Sequence, residues 1–277
     1  MKRITPHLWF DQEAKEAVEF YVSAFPRSKI TGTSTLHGVP TPTGACDTVS
    51  FELSGQPFMA IDAGPLFKFN PSISFFVNFD PSRDKEARKN LDVLWGKLAR
   101  DGKALMPLDR YPFSERYGWI QDRYGLSWQL ILSKPEGEER PEIVPSLLFV
   151  GAVAGRAEEA VDFYLSVFKN SRRGITVRHG KGQEPDKEGT VMFSDFALGG
   201  QWFAAMDRAW NHGFAFNEAI LCCRPSALPH RGWTVSSMKS PAPGGLSFAF
   251  SMTVARSPGS MRTCSVFQGP FYPLVAA

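Results

Sequence analysis

Residues 4–26 read ITPHLWFDQEAKEAVEFYVSAFP, and the chain returns to nearly the same text in its second half. ITPHLWF at 4–10 is answered by IVPSLLF at 143–149, and AVEFYVSAF at 17–25 by AVDFYLSVF at 160–168. Further on, GQPFMAID at 55–62 matches GQWFAAMD at 200–207, and FKFNPSI at 67–73 matches GFAFNEAI at 213–220. The offset grows from 139 to 147, as loop insertions would cause. Such self-similarity is a tandem duplication. Between the copies, 134–142 is rich in Pro, Gly and charge without periodicity, and reads as a linker.

Each copy opens with the same physical units. A short β-rich run at 4–10 precedes Asp11, placed as a helix N-cap. Ala14, Ala17, Val18, Tyr21, Val22 and Phe25 then follow at helical spacing, forming one apolar stripe. Copy two repeats it at Ala157, Ala160, Val161, Tyr164, Leu165 and Phe168, so the paired Phe-Tyr reads as core. Strand-like runs follow at 28–37, 48–53 and 57–62, with SGQ at 54–56 as a hairpin turn. Copy one then runs through the order again. It has a strand at 73–79, a helix within 84–101 carrying Leu91, Leu94, Trp95 and Leu98 on one face, Gly102 as its stop, and three more strands up to Leu132.

The predicted fold class is therefore α+β, with tandem βαβββ units forming a curved mixed sheet. The expected domains are a complete one of two units at 1–133 and the first half of another at 143–220.

Composition sets further bounds. The 277 residues are 43% hydrophobic and 21% charged, as expected of a soluble globular protein, and no apolar run approaches a membrane span. The N-terminus lacks the long apolar core of a signal peptide, and four irregularly spaced cysteines make neither a disulfide framework nor a zinc site, so a cytoplasmic location is expected. Charge is uneven. Residues 221–277 contain no Asp or Glu but hold Arg224, Arg231, Lys239, Arg256 and Arg262; removing these five from the 31 basic residues leaves 26 against 28 acidic ones in 1–220. The break falls inside the repeat, where copy one continues into its second unit. It reads as an out-of-frame product replacing the rest of copy two, and 221–277 is expected to lack order. The basic residues are spread too thinly for a nucleic-acid-binding tail.

GWIQDRYGLSWQLIL, 118–132, occurs once. Asp122 to Gly125 reads as a tight turn in which Asp bonds its own backbone and Gly supplies positive φ. Beyond it, Trp128, Leu130 and Leu132 share one strand face, and Ser127, Gln129 and Ile131 the other.

With 4–26 and GQPFMAIDAGPLFKFNPSIS at 55–74, this stretch resembles the vicinal oxygen chelate superfamily of glyoxalases, bleomycin-resistance proteins and dioxygenases. The resemblance is to its PhnB-like branch, labelled 3-demethylubiquinone-9 3-methyltransferase. It implies two βαβββ units per domain, a small-molecule ligand inside the curved sheet, and pairing of copies as a homodimer. It also implies, in metal-dependent relatives, a carboxylate seven residues after the Asp of the turn, where this chain has Gln129, and a His or Glu on the first strand, where it has His7 and, in copy two, Ser146. An amide is a poor ligand for a divalent cation. No cofactor is therefore expected, with His7 the one candidate if a divalent metal is bound.

By alternation, the candidate ligand-binding residues are His7, Trp9, Asp62, Trp119 and Gln129; no catalytic residue is assigned. Asp62 and its counterpart Asp207 also fit an ordinary strand end entering a loop. GAVAG at 151–155 sits where a methyltransferase would place its glycine-rich turn for S-adenosylmethionine. Copy one has DQEAK there and no acidic residue ends a second parallel strand, so GAVAG reads as a loop insertion. The expectation is a small-molecule-binding protein with no nucleic-acid or membrane partner. The alternatives are a metal-dependent lyase or dioxygenase using His7, and a non-functional product with a truncated second domain.

Overall fold

The computed structural model describes residues 4–37, 44–134 and 138–223, and the backbone of two strands at 251–256 and 260–265. The first unit is β1 (Thr5–Phe10), α1 (Ala14–Ala24), β2 (Lys29–His37), β3 (Ala45–Leu53) and β4 (Gln56–Asp62). The second is β5 (Ile73–Phe79), α2 (Ala87–Leu98), β6 (Lys103–Tyr111), β7 (Ser114–Gln121) and β8 (Ser127–Leu132). The third is β9 (Ile143–Phe149), α3 (Ala157–Val167), β10 (Arg172–Arg178), β11 (Val191–Leu198) and β12 (Gln201–Asp207). A fourth begins with β13 (Ile220–Cys223). In the acid-free tail, β14 (Ser251–Arg256) and β15 (Ser260–Ser265) form an antiparallel pair; the expectation that the tail lacks order falls largely on residues outside the described ones.

The sheets cut across the boundary between the copies. Units two and three share one eight-stranded sheet, ordered β10-β11-β12-β9-β5-β8-β7-β6, joined where β5 pairs antiparallel with β9. Unit one lies in a five-stranded sheet, β13-β1-β4-β3-β2, with β13 antiparallel to β1. The two units expected to form one domain at 1–133 thus contribute to different sheets, and each first strand has one neighbour in its own unit and one in the other copy.

One apolar core serves both sheets. Ala14, Ala17, Val18 and Tyr21 of α1, Leu91 and Leu98 of α2, Phe75, Trp128 and Leu130 of the eight-stranded sheet, and Phe51 and Phe58 of the five-stranded sheet belong to a single buried cluster. Trp128 lies 5.5 Å from Tyr21 and 4.9 Å from Phe25, ring centre to ring centre, so α1 of unit one packs on the sheet of unit two. The turn after β7 locks this contact. Asp122 Oδ2 accepts from the Tyr21 hydroxyl and from Trp128 Nε1, both at 2.8 Å, while Oδ1 accepts from the backbone N–H of Tyr124 (2.9 Å) and of Leu126 (3.1 Å). Gly125, at φ 85°, closes the turn.

The start of α1 differs from its expected form. No side chain of Asp11 or Glu13 caps it; Ala14 N–H donates to Asp62 Oδ1 at 2.7 Å. The reason lies in the parallel pairing of β1 with β4, which sets Phe10 level with Asp62 and puts the last residue of β4 beside the helix start. In copy two, Asp207 does more. Its Oδ1 accepts from the N–H of Gly155 (2.8 Å) and Ala157 (3.0 Å), and its Oδ2 from that of Val191 (3.0 Å).

Gly118 marks a close approach of α2 to the sheet. A Cβ there would lie 2.4 Å from the Trp95 ring of α2 and 3.0 Å from Leu108 Cα. Gly118→Ala should therefore lower stability by about 2 kcal/mol through overpacking. The expected signature is a lower urea midpoint with an unchanged denaturant slope; an unchanged midpoint would mean the ring moves aside freely.

The linker is tied to all three complete units. Glu142 pairs with Arg27 and accepts from Ser54 Oγ at 2.5 Å, Glu139 pairs with Arg83, and Glu138 pairs with Arg172. Arg140 Nε donates to Asp195 Oδ2 at 2.7 Å, and its guanidinium lies 3.6 Å from the centre of the Trp202 ring. No helix among the described residues is long and apolar enough to cross a membrane.

Candidate functional site

Period-two alternation gives the eight-stranded sheet two faces. Phe75, Trp128, Leu130 and Phe203 point into the main core with the helices. The opposite face, which no helix among the described residues covers, carries a second cluster: Phe76, Tyr117, Val144, Ala197, Trp202 and Ala204, with Met106, Tyr111, Trp119, Ile131, Phe193 and Met206 packed against it.

A polar chain runs through the middle of this face. Tyr117 OH donates to Gln129 Oε1 at 2.6 Å, and Gln129 Nε2 donates to Ser74 Oγ at 2.8 Å. Burial pushes the Tyr117 phenol up from its ordinary range, so it remains a proton donor at neutral pH. Trp119 Nε1 donates to Ser127 Oγ at 2.7 Å. Ser74 sits opposite Ser146 in the antiparallel β5–β9 pair. The Ser146 hydroxyl is fully buried and has no hydrogen-bond partner. An unsatisfied buried polar atom costs about 1–3 kcal/mol, so its persistence needs a reason.

The same position in copy one tells a parallel story. His7 is the repeat counterpart of Ser146, and Leu221 that of Ser74; His7 and Leu221 face each other in the β1–β13 pair. His7 is buried, its Nδ1 has no partner, and burial lowers its pKa to about 4, so the ring is neutral. Each copy therefore keeps an unpartnered polar atom at one register position of its first strand.

The five residues expected to line a single pocket are divided between two sheets. Trp119 and Gln129 stand opposite each other on β7 and β8 of the eight-stranded sheet. His7 and Trp9 lie on the helix-free face of the five-stranded sheet; Trp9 Nε1 donates to the carbonyl of Gly64 at 2.8 Å and its ring meets Phe67 edge-on at 5.1 Å. Asp62 turns to the helix side and holds the start of α1. Tyr117, Ser74 and Ser146 were not among the expected site residues. Serine and tyrosine inside a strand give no sequence signal of their own; the one clue was that Ser146 matches His7 across the repeat.

The residues at this position do not fit a divalent metal. Both ends of the Gln129 amide are engaged, and the position equivalent to it in unit three, level with Leu148 as Gln129 is with Phe76, is Met206. Hydroxyls, an amide and a thioether are not the carboxylate and imidazole set such ions take. Among the described residues, no group of three or more His, Cys, Asp or Glu is placed to hold a metal ion. The first three residues of GAVAG, Gly151–Val153, form a short 3₁₀ turn, and Gly155 N–H donates to Asp207, so this segment serves the helix start.

A groove of about 990 Å³ runs along the linker and reaches this face. Its lining includes Phe113, Ile175, Ile131 and Phe193, and the last two also pack on the aromatic cluster. Phe193 meets Phe76 edge-on at 5.8 Å.

The family described as 3-demethylubiquinone-9 3-methyltransferase matches residues 2–131 and 141–224, the greater part of the chain. A solved PhnB protein from Bacillus cereus that carries the same family name is 39% identical; the match covers 47% of this chain and 98% of that one, with a TM-score of 0.41. Protein PA1353 from Pseudomonas aeruginosa is 20% identical over 48% of this chain and 98% of that one, at a TM-score of 0.37. Glyoxalase I from Zea mays is 12% identical over 74% of this chain and 66% of that one, at a TM-score of 0.45. No curated protein matches the chain.

Proposed function

The chain belongs to the 3-demethylubiquinone-9 3-methyltransferase family, the PhnB-like branch of the vicinal oxygen chelate superfamily, and from that premise we propose that it binds a small, largely apolar molecule within the helix-free face of its eight-stranded sheet. The observation that carries this reading is the buried, unpartnered Ser146 hydroxyl beside the Tyr117–Gln129–Ser74 chain, in aromatic surroundings. Apolar walls with a few placed polar groups are the usual make-up of a ligand site. Entry is by the linker groove, past Ile131 and Phe193. Both halves of the sheet come from one chain, so this binding needs no second copy.

The test is a thermal-shift screen of small molecules, followed for each hit by NMR of the Gln129 side-chain amide. Hits should shift that amide signal, and Gln129→Leu should weaken their binding by about tenfold or more, because it removes the group that orients the Tyr117 and Ser74 hydroxyls. Hits that leave the amide signal and the Gln129→Leu affinity untouched would sink the proposal.

A further inference from the structure

The hydrogen bonds at this face have a direction. An amide oxygen only accepts, so the Tyr117 hydroxyl spends its hydrogen on Gln129 Oε1. An amide nitrogen only donates, so Ser74 Oγ accepts from Gln129 Nε2. Ser74 is then left with one hydrogen to give, and no bond donated by it is found among the described residues. Directly across the β5–β9 pair stands the Ser146 hydroxyl with no partner at all. Ser74 and Ser146 thus stand opposite each other, each with a hydroxyl hydrogen to give, and among the described residues no group accepts from either.

On the reading of the site given above, we infer that the ligand is an uncharged, flat carbonyl compound whose oxygen accepts from Ser74 and Ser146. A carbonyl oxygen has two lone pairs and can take both hydrogens. An anion would have to shed its water for neutral hydroxyls alone, which do not offset the desolvation of a charge. The neighbouring arginines on this side are already engaged: Arg140 with Asp195, and Arg208 with Asp186. The aromatic side chains Phe76, Trp119, Phe193 and Trp202 favour a flat, apolar body attached to that oxygen.

Three probes of similar size separate the possibilities when titrated calorimetrically into the full chain: acetophenone, toluene and benzoate. Acetophenone should bind at least tenfold tighter than either of the others. Ser146→Ala, and separately Ser74→Ala, should weaken acetophenone about tenfold while changing toluene less than twofold, the effect of one lost hydrogen bond. The infrared carbonyl stretch of bound acetophenone should lie at lower wavenumber than in an aprotic solvent and move back up in Ser146→Ala, which a merely structural role for Ser146 would not produce. Benzoate binding as tightly as acetophenone, or an affinity and stretch unmoved by Ser146→Ala, would overturn the carbonyl inference while the site stands. Failure of all three to bind would remove the site, and this inference with it.

Discussion

Asp122→Ala should lower the free energy of unfolding by about 4 kcal/mol, among the largest effects a single substitution gives. The carboxylate accepts from Tyr21, Trp128, Tyr124 and Leu126, and the side chains of Tyr21 and Trp128 are completely buried. Truncation leaves these donors without an acceptor, at about 1–3 kcal/mol for each that water cannot reach. Burial pushes the Asp122 carboxyl up to about 6, with its four donors pulling the other way. A carboxyl raised from an unfolded value near 4 binds more protons in the native state between those limits. Its contribution is fully present below about pH 4 and is lost as pH rises through about 6, a fall of about 2–3 kcal/mol. Denaturant midpoints from pH 4 to 7 measure it. Asp122→Asn cannot titrate and should flatten this part of the profile; an identical slope in that variant would assign the pH dependence elsewhere.

The second large effect separates two residues that the repeat makes equivalent. Asp207→Ala should cost about 3 kcal/mol and Asp62→Ala about 1 kcal/mol. Asp207 is buried and holds three backbone N–H groups, on Gly155, Ala157 and Val191. Asp62 is partly exposed and holds one, on Ala14. Copy two has the additional glycine-bearing turn before α3, so its strand-end carboxylate has more backbone to collect. Chemical denaturation of both variants decides the matter; equal losses would mean that the extra bonds contribute nothing.

Much of the local structure is legible in the sequence because it is written in short periods. The stripe from Ala14 to Phe25, the alternation around Gln129 and the Asp122–Gly125 turn each depend on residues a few positions apart. Which units share a sheet is not written that way. The first strands of units one, two and three all carry apolar residues on their core face, and that pattern is satisfied by any neighbour of matching shape. The choice of β9 over β1 as the partner of β5 depends on how whole units pack, with Tyr21, Phe25 and Trp128 bringing α1 of unit one against the sheet of unit two. The same limit divided the candidate site. Gln129 and Trp119 could be placed side by side from one strand turn, whereas joining them to Ser146 required knowing that the third unit extends the sheet through β9.

The crossing of the copies also governs what a cut in the chain would do. With β5 paired to β9 and β1 paired to β13, each copy grips the other along two separate seams. Severing the linker would leave two pieces that still interlock, each supplying half of the same binding face. Covalent continuity between the copies serves to keep the partners at high local concentration, rather than to define where one folded body ends and the next begins.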